Sequence, residues 1–293
     1  MRDLPGQRAT AVPAVDRTVA VIEYCAARPG AQFTLSELCR ALDISKATAF
    51  GLLTALCEHG WLARDATTKT YRIGPGLAVL ADALSVPHRT LIDAAQTQLD
   101  ALATATGIRT VAATLVGDEI VILAVGGQER PLGTALRPGH RLRVVPPIGV
   151  VYMAWSGAEE RERWLGRGHG VIGPDGIERL RAEVEAVRDR GFQVSLHSSD
   201  VRRLAEAMGR GEATPDLIDH IDAAEYVVPD LDPDGKYYPN MVSVPVLDGQ
   251  ERLAMTLTYF DFPAPLVGSE IVRLANRLKR AAAAVRKALA DPR

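Results

Sequence analysis

Seven side chains in the first quarter of this chain combine charge, hydroxyls and one aromatic ring at close spacing. Ser45, Lys46, Thr48 and Phe50 lie within six residues of one another, and Arg64, Lys69 and Arg72 follow shortly after. Lysine and arginine donate to phosphate oxygens, and lysine also reaches a guanine edge. Threonine and phenylalanine offer apolar surface to a thymine methyl. Together they suit a double-stranded nucleic acid. The charge distribution agrees with this. Residues 1–76 carry nine basic against seven acidic side chains, a net +2, whereas the whole chain is −2 and the remainder therefore −4. A positive head on an acidic body is what such a contact needs.

Other chemistries find little support. Cys25, Cys39 and Cys57 are 14 and 18 residues apart, which matches none of the usual zinc spacings. Each falls among helical apolar positions, so reduced, buried thiols are expected. Asp230-Leu-Asp232-Pro-Asp234-Gly235 opens like a calcium loop. Its twelfth position, where a bidentate Glu is required, is Met241, and Pro233 interrupts it. There is no Gly-x-Ser-x-Gly elbow, Walker loop or His-Glu-x-x-His. Gly126-Gly127 and Gly166-x-Gly168-x-Gly170 lack the strand-turn-helix setting of a dinucleotide site. No cofactor, metal or catalytic set is therefore expected. The composition, 47% hydrophobic and 24% charged, is that of a globular protein. No apolar run is long enough to span a membrane, and the first residues lack the apolar core of a signal peptide, so a cytoplasmic location is expected.

Three helices must position the candidate residues. Val15, Val19, Ile22 and Ala26 recur at helical spacing in the first, which ends near Pro29-Gly30. Thr34 opens the second, and Glu37 three residues on completes a capping-box pattern. Leu35, Leu38, Ala41 and Leu42 form the expected inner face. The turn Asp43-Ile44 needs a left-handed residue, which Asp tolerates. Ser45 then caps a third helix with Ala49, Leu52, Leu53 and Leu56 inward. This is a helix-turn-helix pattern, with a helical hairpin unrelated to DNA as the alternative. Two short strands, from Trp61 to Arg64 and from Lys69 to Ile73, flank a turn at residues 65–68 and form a wing. Pro75 to Leu84 reads as a connecting helix with Leu77, Leu80, Ala81 and Leu84 on one face.

The rest of the chain predicts an α+β domain. A helix runs from Leu91 to Ala105, and two strands, Arg109–Val116 and Glu119–Val125, turn at Gly117-Asp118. A basic loop carries Arg137, Arg141 and Arg143. An apolar helix from Ile148 to Trp155 and a charged one from Gly176 to Arg190 follow. A hairpin of Met241–Leu247 and Arg252–Phe260 turns at Asp248-Gly249. The last helix places Ile271, Leu274, Leu278, Ala282, Val285 and Leu289 on one face.

Several short runs resemble the IclR family of bacterial transcriptional regulators. They are Thr34 to Leu38, Lys46-Ala47-Thr48-Ala49, Leu52 to Leu56, Gly60-Trp61-Leu62 and Tyr71-Arg72-Ile73-Gly74. Gly117 to Val121, Arg137-Pro138-Gly139, Arg190-Gly191-Phe192 and Val244-Pro245-Val246 are similar to the effector domain of that family, a GAF-like sheet. The chain departs from the family at Gly51, where arginine is usual. It departs again at Ile148-Gly149-Val150-Val151, where relatives carry a Ser/Leu-Gly-Lys-Ala run, and in the long acidic stretch 198–239.

The resemblance implies a winged helix-turn-helix over 1–74, a linker helix over 75–86 and an effector-binding domain over 87–293. It implies that Thr34, Ser45, Lys46, Thr48, Phe50, Arg64, Lys69 and Arg72 meet DNA. It also implies a repressor that senses an organic acid or related metabolite, with Gly149, His197, Met241, Ser243, Thr256 and Thr258 lining the pocket. A homodimer, or a dimer of dimers, would read two half-sites, the connecting-helix stripe packing either on a second subunit or on its own domain. Two alternatives stay open at these residues. The threonines suit the solvent face of a sheet equally well, and His197 suits an exposed or hydrogen-bonded position. A different use of His197 and the acidic stretch would be an enzyme site, with the helix-turn-helix as an accessory.

Overall fold

The computed structural model describes residues 12–26, 28, 30–82, 86–128, 136–168, 172–200, 202–203, 207, 222 and 226–290. The chain divides into two compact units, Met1–Ser85 and Val86–Arg293. The first unit contains α1 (Pro13–Ala26), β1 (Phe33–Thr34), α2 (Leu35–Leu42), α3 (Lys46–Glu58), β2 (Leu62–Arg64), β3 (Thr70–Ile73) and α4 (Gly76–Asp82). Its strands form a three-stranded sheet in the order β1-β3-β2. Val21, Cys25, Leu38, Ala49, Leu53, Leu56, Leu62 and Tyr71 make the core. Burial pushes the Cys25 thiol up to about 11, so it stays a neutral, apolar group there.

The face of α1 differs from the expectation. Val21 and Cys25 are buried, whereas Val15 is 56% and Val19 45% exposed. Residues 19–22 are all apolar, so the helical period fits two overlapping stripes, and packing selects the second. Ala41, expected inside α2, is exposed for a similar reason: Leu38 alone in that short helix is fully buried. Leu84, at the end of the expected connecting stripe, lies outside the described residues.

A close glycine contact joins the wing to the end of α3. A Cβ on Gly74 would stand 2.3 Å from the carbonyl oxygen of Gly60. The Gly74 N–H donates to Trp61 O at 2.8 Å, and the Gly76 N–H to Gly60 O at 2.8 Å. The strand therefore leaves the wing flush against the α3–β2 turn, which only a residue without a side chain permits.

The second unit contains α5 (Val86–Thr106), β4 (Arg109–Val116), β5 (Glu119–Gly126), β6 (Arg141–Arg143), α6 (Val150–Ala154), α7 (Ala158–Arg167) and α8 (Pro174–Arg190). It continues with β7 (Gln193–Leu196), β8 (Lys236–Tyr237), β9 (Pro239–Leu247), β10 (Leu253–Phe260), β11 (Leu266–Val267) and α9 (Gly268–Ala290). Six strands make one antiparallel sheet in the order β6-β5-β4-β10-β9-β7. Alternation along each strand gives the sheet two different faces. On one face, Ala112, Val242, Val244, Met255, Leu257 and Tyr259 share a core with Leu91, Ala95 and Leu99 of α5 and with Ile271, Ala275 and Leu278 of α9. The opposite face carries Val111, Ala113, Ser243, Thr256, Thr258 and Phe260.

The α+β arrangement is as expected, and several elements are additional. Two of the three arginines of the expected basic loop belong to β6, where Arg141 pairs with Val121 and Arg143 with Glu119. Strand β7 and helix α7 also carry no apolar stripe long enough to announce them. Of the ten residues of α7, only Trp164 and Leu165 are buried. At the end of α8, Arg190 donates to Glu183 at 2.6 Å, to Val228 O at 2.6 Å and to Phe192 O at 2.7 Å. It thereby ties the segment from Tyr226 to Val228 against β7, where Val227 bridges Ser195. Burial opposes charge on both partners, pushing the Glu183 carboxyl up to about 7 although the guanidinium pulls it down. Of the acidic stretch 198–239, most residues before Tyr226 fall outside the described set.

Candidate functional site

Two separate sites emerge, one in each unit. In the first, local hydrogen bonds set the helix ends that hold the basic residues. Thr34 and Glu37 form the expected capping box. The Thr34 N–H donates to Glu37 Oε2 at 2.7 Å, and the Glu37 N–H donates to Thr34 Oγ1 at 3.3 Å. The Thr34 hydroxyl also bonds Glu37 at 2.8 Å, so it is committed to the helix end. Asp43 is left-handed (φ 51°, ψ 48°), turning the chain into α3. Ser45 then accepts the Thr48 N–H at 3.2 Å, and the two hydroxyls are 2.9 Å apart.

With Ala49, Leu53 and Leu56 inward, α3 turns Lys46, Ala47, Phe50, Gly51 and Thr54 to solvent. Phe50 is 58% exposed, a large apolar group held out on the start of a helix. No described residue lies within 4 Å of a Cβ at Gly51. The wing adds exposed Arg64, Lys69 and Arg72. Its turn is held by Asp65, whose carboxylate accepts the N–H groups of Thr67 at 2.8 Å and Thr68 at 3.0 Å, and these bonds lower its pKa. Lys69 sits in the left-handed region (φ 54°). The structure thus brings Ser45, Lys46, Thr48 and Phe50 together on α3, and Arg64, Lys69 and Arg72 together on the wing. Thr34 is placed at the start of α2.

The second site is a cavity of about 150 Å³ against the sheet face turned away from α5 and α9. Its lining includes Gly149, Met241, Ser243, Thr256 and Thr258, five of the six residues expected to line a pocket. The threonines are buried, at 2% and 6% exposure, so the solvent-face alternative is excluded. Gly149 has φ 103°, and a Cβ there would meet Val144 Cγ1 at 2.6 Å; both conditions require glycine at the entry to α6. His197 is the sixth, and it lies apart from the other five. It is exposed, its backbone N–H donates to Tyr238 O at 2.8 Å, and it is absent from the lining. It lies just past the end of β7, where the chain leaves the sheet.

The polar groups of the cavity wall are mostly paired with one another. The Ser243 and Thr258 hydroxyls are 2.7 Å apart, and the Tyr152 and Thr256 hydroxyls 3.1 Å. Burial raises the Tyr152 and Tyr226 phenols, the latter to about 12, so both remain protonated. Asn240 Nδ2 donates to Ser195 Oγ at 3.3 Å. The Gln193 side chain is fully buried and accepts the Val151 N–H at 2.9 Å. The apolar wall is Val111, Ala113, Ile120, Ile122, Met241 and Phe260. Sequence reasoning missed Gln193, Tyr152, Tyr226 and Asn240. The alternation of Gln193 and Ser195 about Val194 was the available signal, on a strand too short to stand out.

The family model of the IclR helix-turn-helix domain matches residues 14–66. No curated protein matches the chain. Among solved structures, an IclR transcriptional regulator from Alicyclobacillus acidocaldarius is 22% identical with a TM-score of 0.65, over 95% of this chain and 99% of that one. A putative transcriptional regulator from Rhodococcus sp. RHA1 is 20% identical with a TM-score of 0.57, over 96% and 99%. An IclR homolog from Microbacterium hydrocarbonoxydans, complexed with 4-hydroxybenzoate, is 18% identical with a TM-score of 0.65, over 94% and 99%. Residues 14–66 are thus an IclR helix-turn-helix domain, in a chain whose fold is that of IclR transcriptional regulators.

Proposed function

We propose that the protein is a DNA-binding transcriptional regulator whose second unit senses a small molecule in the cavity. The observation that carries this reading is α3. It is a capped helix with Lys46 and Phe50 exposed at its start, within the segment that matches the IclR helix-turn-helix domain. Lys46, Thr48 and Phe50 enter the major groove, while Ser45 and Thr34 stand at the two helix starts that face the backbone. Arg64, Lys69 and Arg72 of the wing contact phosphates. Residues 1–74 serve as the DNA-binding part, 75–86 as the connection and 87–293 as the sensing part.

The regulator works in the cytoplasm as a homodimer, able to pair further into a dimer of dimers, and represses by occupying its promoter. Exposed Val12 just before α1, Val15 and Val19 on it, and Val79 and Leu80 on α4 supply apolar surface for the second copy. Gly149, Met241, Ser243, Thr256 and Thr258 meet the effector, which acts by preferring one arrangement of the DNA-binding parts. The cavity binds and releases its ligand unchanged. Among the described residues no helix is long and apolar enough to cross a membrane.

The test is binding of the purified protein to the DNA upstream of its own coding sequence, across a salt series. Binding that exceeds that of random DNA and falls with salt is expected. Lys46→Ala should weaken it about tenfold and reduce the salt slope by about one. Equal binding to random DNA by the folded, ligand-free protein would overturn the reading.

A further inference from the structure

The sensing role just proposed for the second unit leaves open what its cavity takes, and Gln193 narrows the answer. Its Oε1 accepts the Val151 N–H at 2.9 Å across a sequence separation of 42 residues. That bond orients the amide, because a backbone N–H can be met only by the oxygen. The other end, Nε2, is buried and has no hydrogen-bond partner among the described residues, in a residue that lines the cavity. The surrounding hydroxyls pair with one another, Tyr152 with Thr256 and Ser243 with Thr258. A buried donor left unpaired is costly, and an acceptor that meets it regains what burial took.

The remaining wall fits an apolar body. Ile122, Met241, Phe260 and Val111 surround it, and a cavity of about 150 Å³ has the size that holds a single benzene-like ring. All of the described lining residues are uncharged. Arg109, buried in the adjacent strand, holds its guanidinium 4.7 Å from the centre of the Phe260 ring and is outside the lining. A carboxylate entering this wall would exchange its hydration for neutral donors, whereas a carbonyl loses far less.

We propose that the cavity takes an uncharged, single-ring molecule that presents one acceptor oxygen to Gln193 Nε2. This replaces the expected organic acid with an uncharged related metabolite and makes Gln193 the residue that selects for the oxygen.

Three probes of similar size test it by calorimetry on the full chain at pH 7.5: acetophenone, its oxygen-free counterpart ethylbenzene, and benzoate. Acetophenone should bind about tenfold or more tighter than either of the others, a margin of about 1.4 kcal/mol. Gln193→Glu keeps an oxygen for the Val151 N–H but replaces the donor. It should remove the preference for acetophenone over ethylbenzene. Gln193→Met, which carries no charge, should do the same where the glutamate disturbs folding, with near-ultraviolet circular dichroism as the check. Equal or tighter binding of benzoate, equal binding of ethylbenzene, an unchanged preference in both folded variants, or no binding of any probe would each overturn the inference. The salt-dependent DNA binding of the same preparations separates the two readings. Intact DNA recognition without probe binding sinks the ligand class alone, and probe binding without DNA recognition sinks the regulator alone.

Discussion

The two sites use polar groups in opposite ways. On α3 and the wing, the cationic groups are exposed to water, and the hydrogen bonds at the helix ends and at the Asp65 turn are local. Ser45 with Thr48, Thr34 with Glu37 and Asp65 with Thr68 all span three residues. In the cavity the wall groups are neutral and buried, and their bonds join distant parts of the chain. Val151 meets Gln193 across 42 residues, Tyr152 meets Thr256 across 104, and Thr256 meets Ala113 across 143. A surface that reads phosphate can tolerate solvent and rely on charge. A cavity that selects a small molecule needs groups fixed by the fold as a whole, because each unpaired one is expensive. The first site is therefore a property of segments, and the second a property of the sheet.

The difference can be broken most severely at Gly74. There the first unit depends on a non-local contact after all, since a Cβ would stand 2.3 Å from Gly60 O and 2.8 Å from the backbone carbon of Leu62. Gly74→Ala should cost about 3 kcal/mol in that unit, by forcing the wing away from the end of α3. Thermal unfolding followed by circular dichroism should show an early transition, with the second unit unchanged. A single unshifted transition would mean the joint relaxes freely.

A somewhat smaller effect is expected at the buried pair that holds Tyr226 in place. The Glu183 carboxyl is pushed up to about 7 by burial. The folded state therefore binds a proton that the unfolded chain, near 4.5, has already released. Its contribution is full below the unfolded value and is lost as pH rises through the folded one. Stability of the second unit should thus fall by on the order of 2 kcal/mol between about pH 5 and 7.5. Glu183→Gln should flatten that slope. Urea titrations at the two pH values measure both, and a slope that survives the substitution would place its origin elsewhere.

Legibility in the sequence follows the same division. The capping box at Thr34, the left-handed Asp43, the Ser45 cap and the wing turn are all short-range patterns, and each is found where its residues predict it. The hairpins β4–β5 and β9–β10 are legible as well, because Gly117-Asp118 and Asp248-Gly249 mark their turns. What periodicity left undecided is which of two overlapping stripes on α1 is inward, and tertiary packing decides that. In the cavity, Thr256 and Thr258 are readable as strand residues, but which face is covered depends on α6 reaching the sheet through Gln193. No local pattern encodes that bond. The separate place of His197 has the same cause, for the end of β7 is set by its pairing with β9, where the register shifts between Ser195 and Leu196, and by the bridge from Ser195 to Val227.

The hydroxyl pairs offer a finer probe of the buried side. Ser243→Ala leaves the Thr258 hydroxyl without its 2.7 Å partner, and Thr258→Val leaves that of Ser243. Each should cost about 1–2 kcal/mol, and the double variant less than their sum, since no unpaired group then remains. Additive losses in a double-mutant cycle would show that the two hydroxyls act independently, as the surface pair Ser45 and Thr48 is free to do.

The smallest effect should come from the exposed side, and it has the opposite sign. Gly51 lies on the solvent face of α3, with no described residue within 4 Å of a Cβ. Its cost is therefore that of glycine in a helix, without a packing reason to keep it. Gly51→Ala should stabilise the first unit by about 0.5–1 kcal/mol. If the face between Lys46 and Thr54 meets DNA, Gly51→Arg should in addition tighten binding and steepen its salt dependence, because a guanidinium there has room and water around it. Parallel melting curves and DNA titrations read the two effects separately. A gain in stability with no change in DNA affinity for the arginine variant would mean that this part of the helix points away from the duplex. The exposed site would then be narrower than α3, confined to Lys46 and the wing.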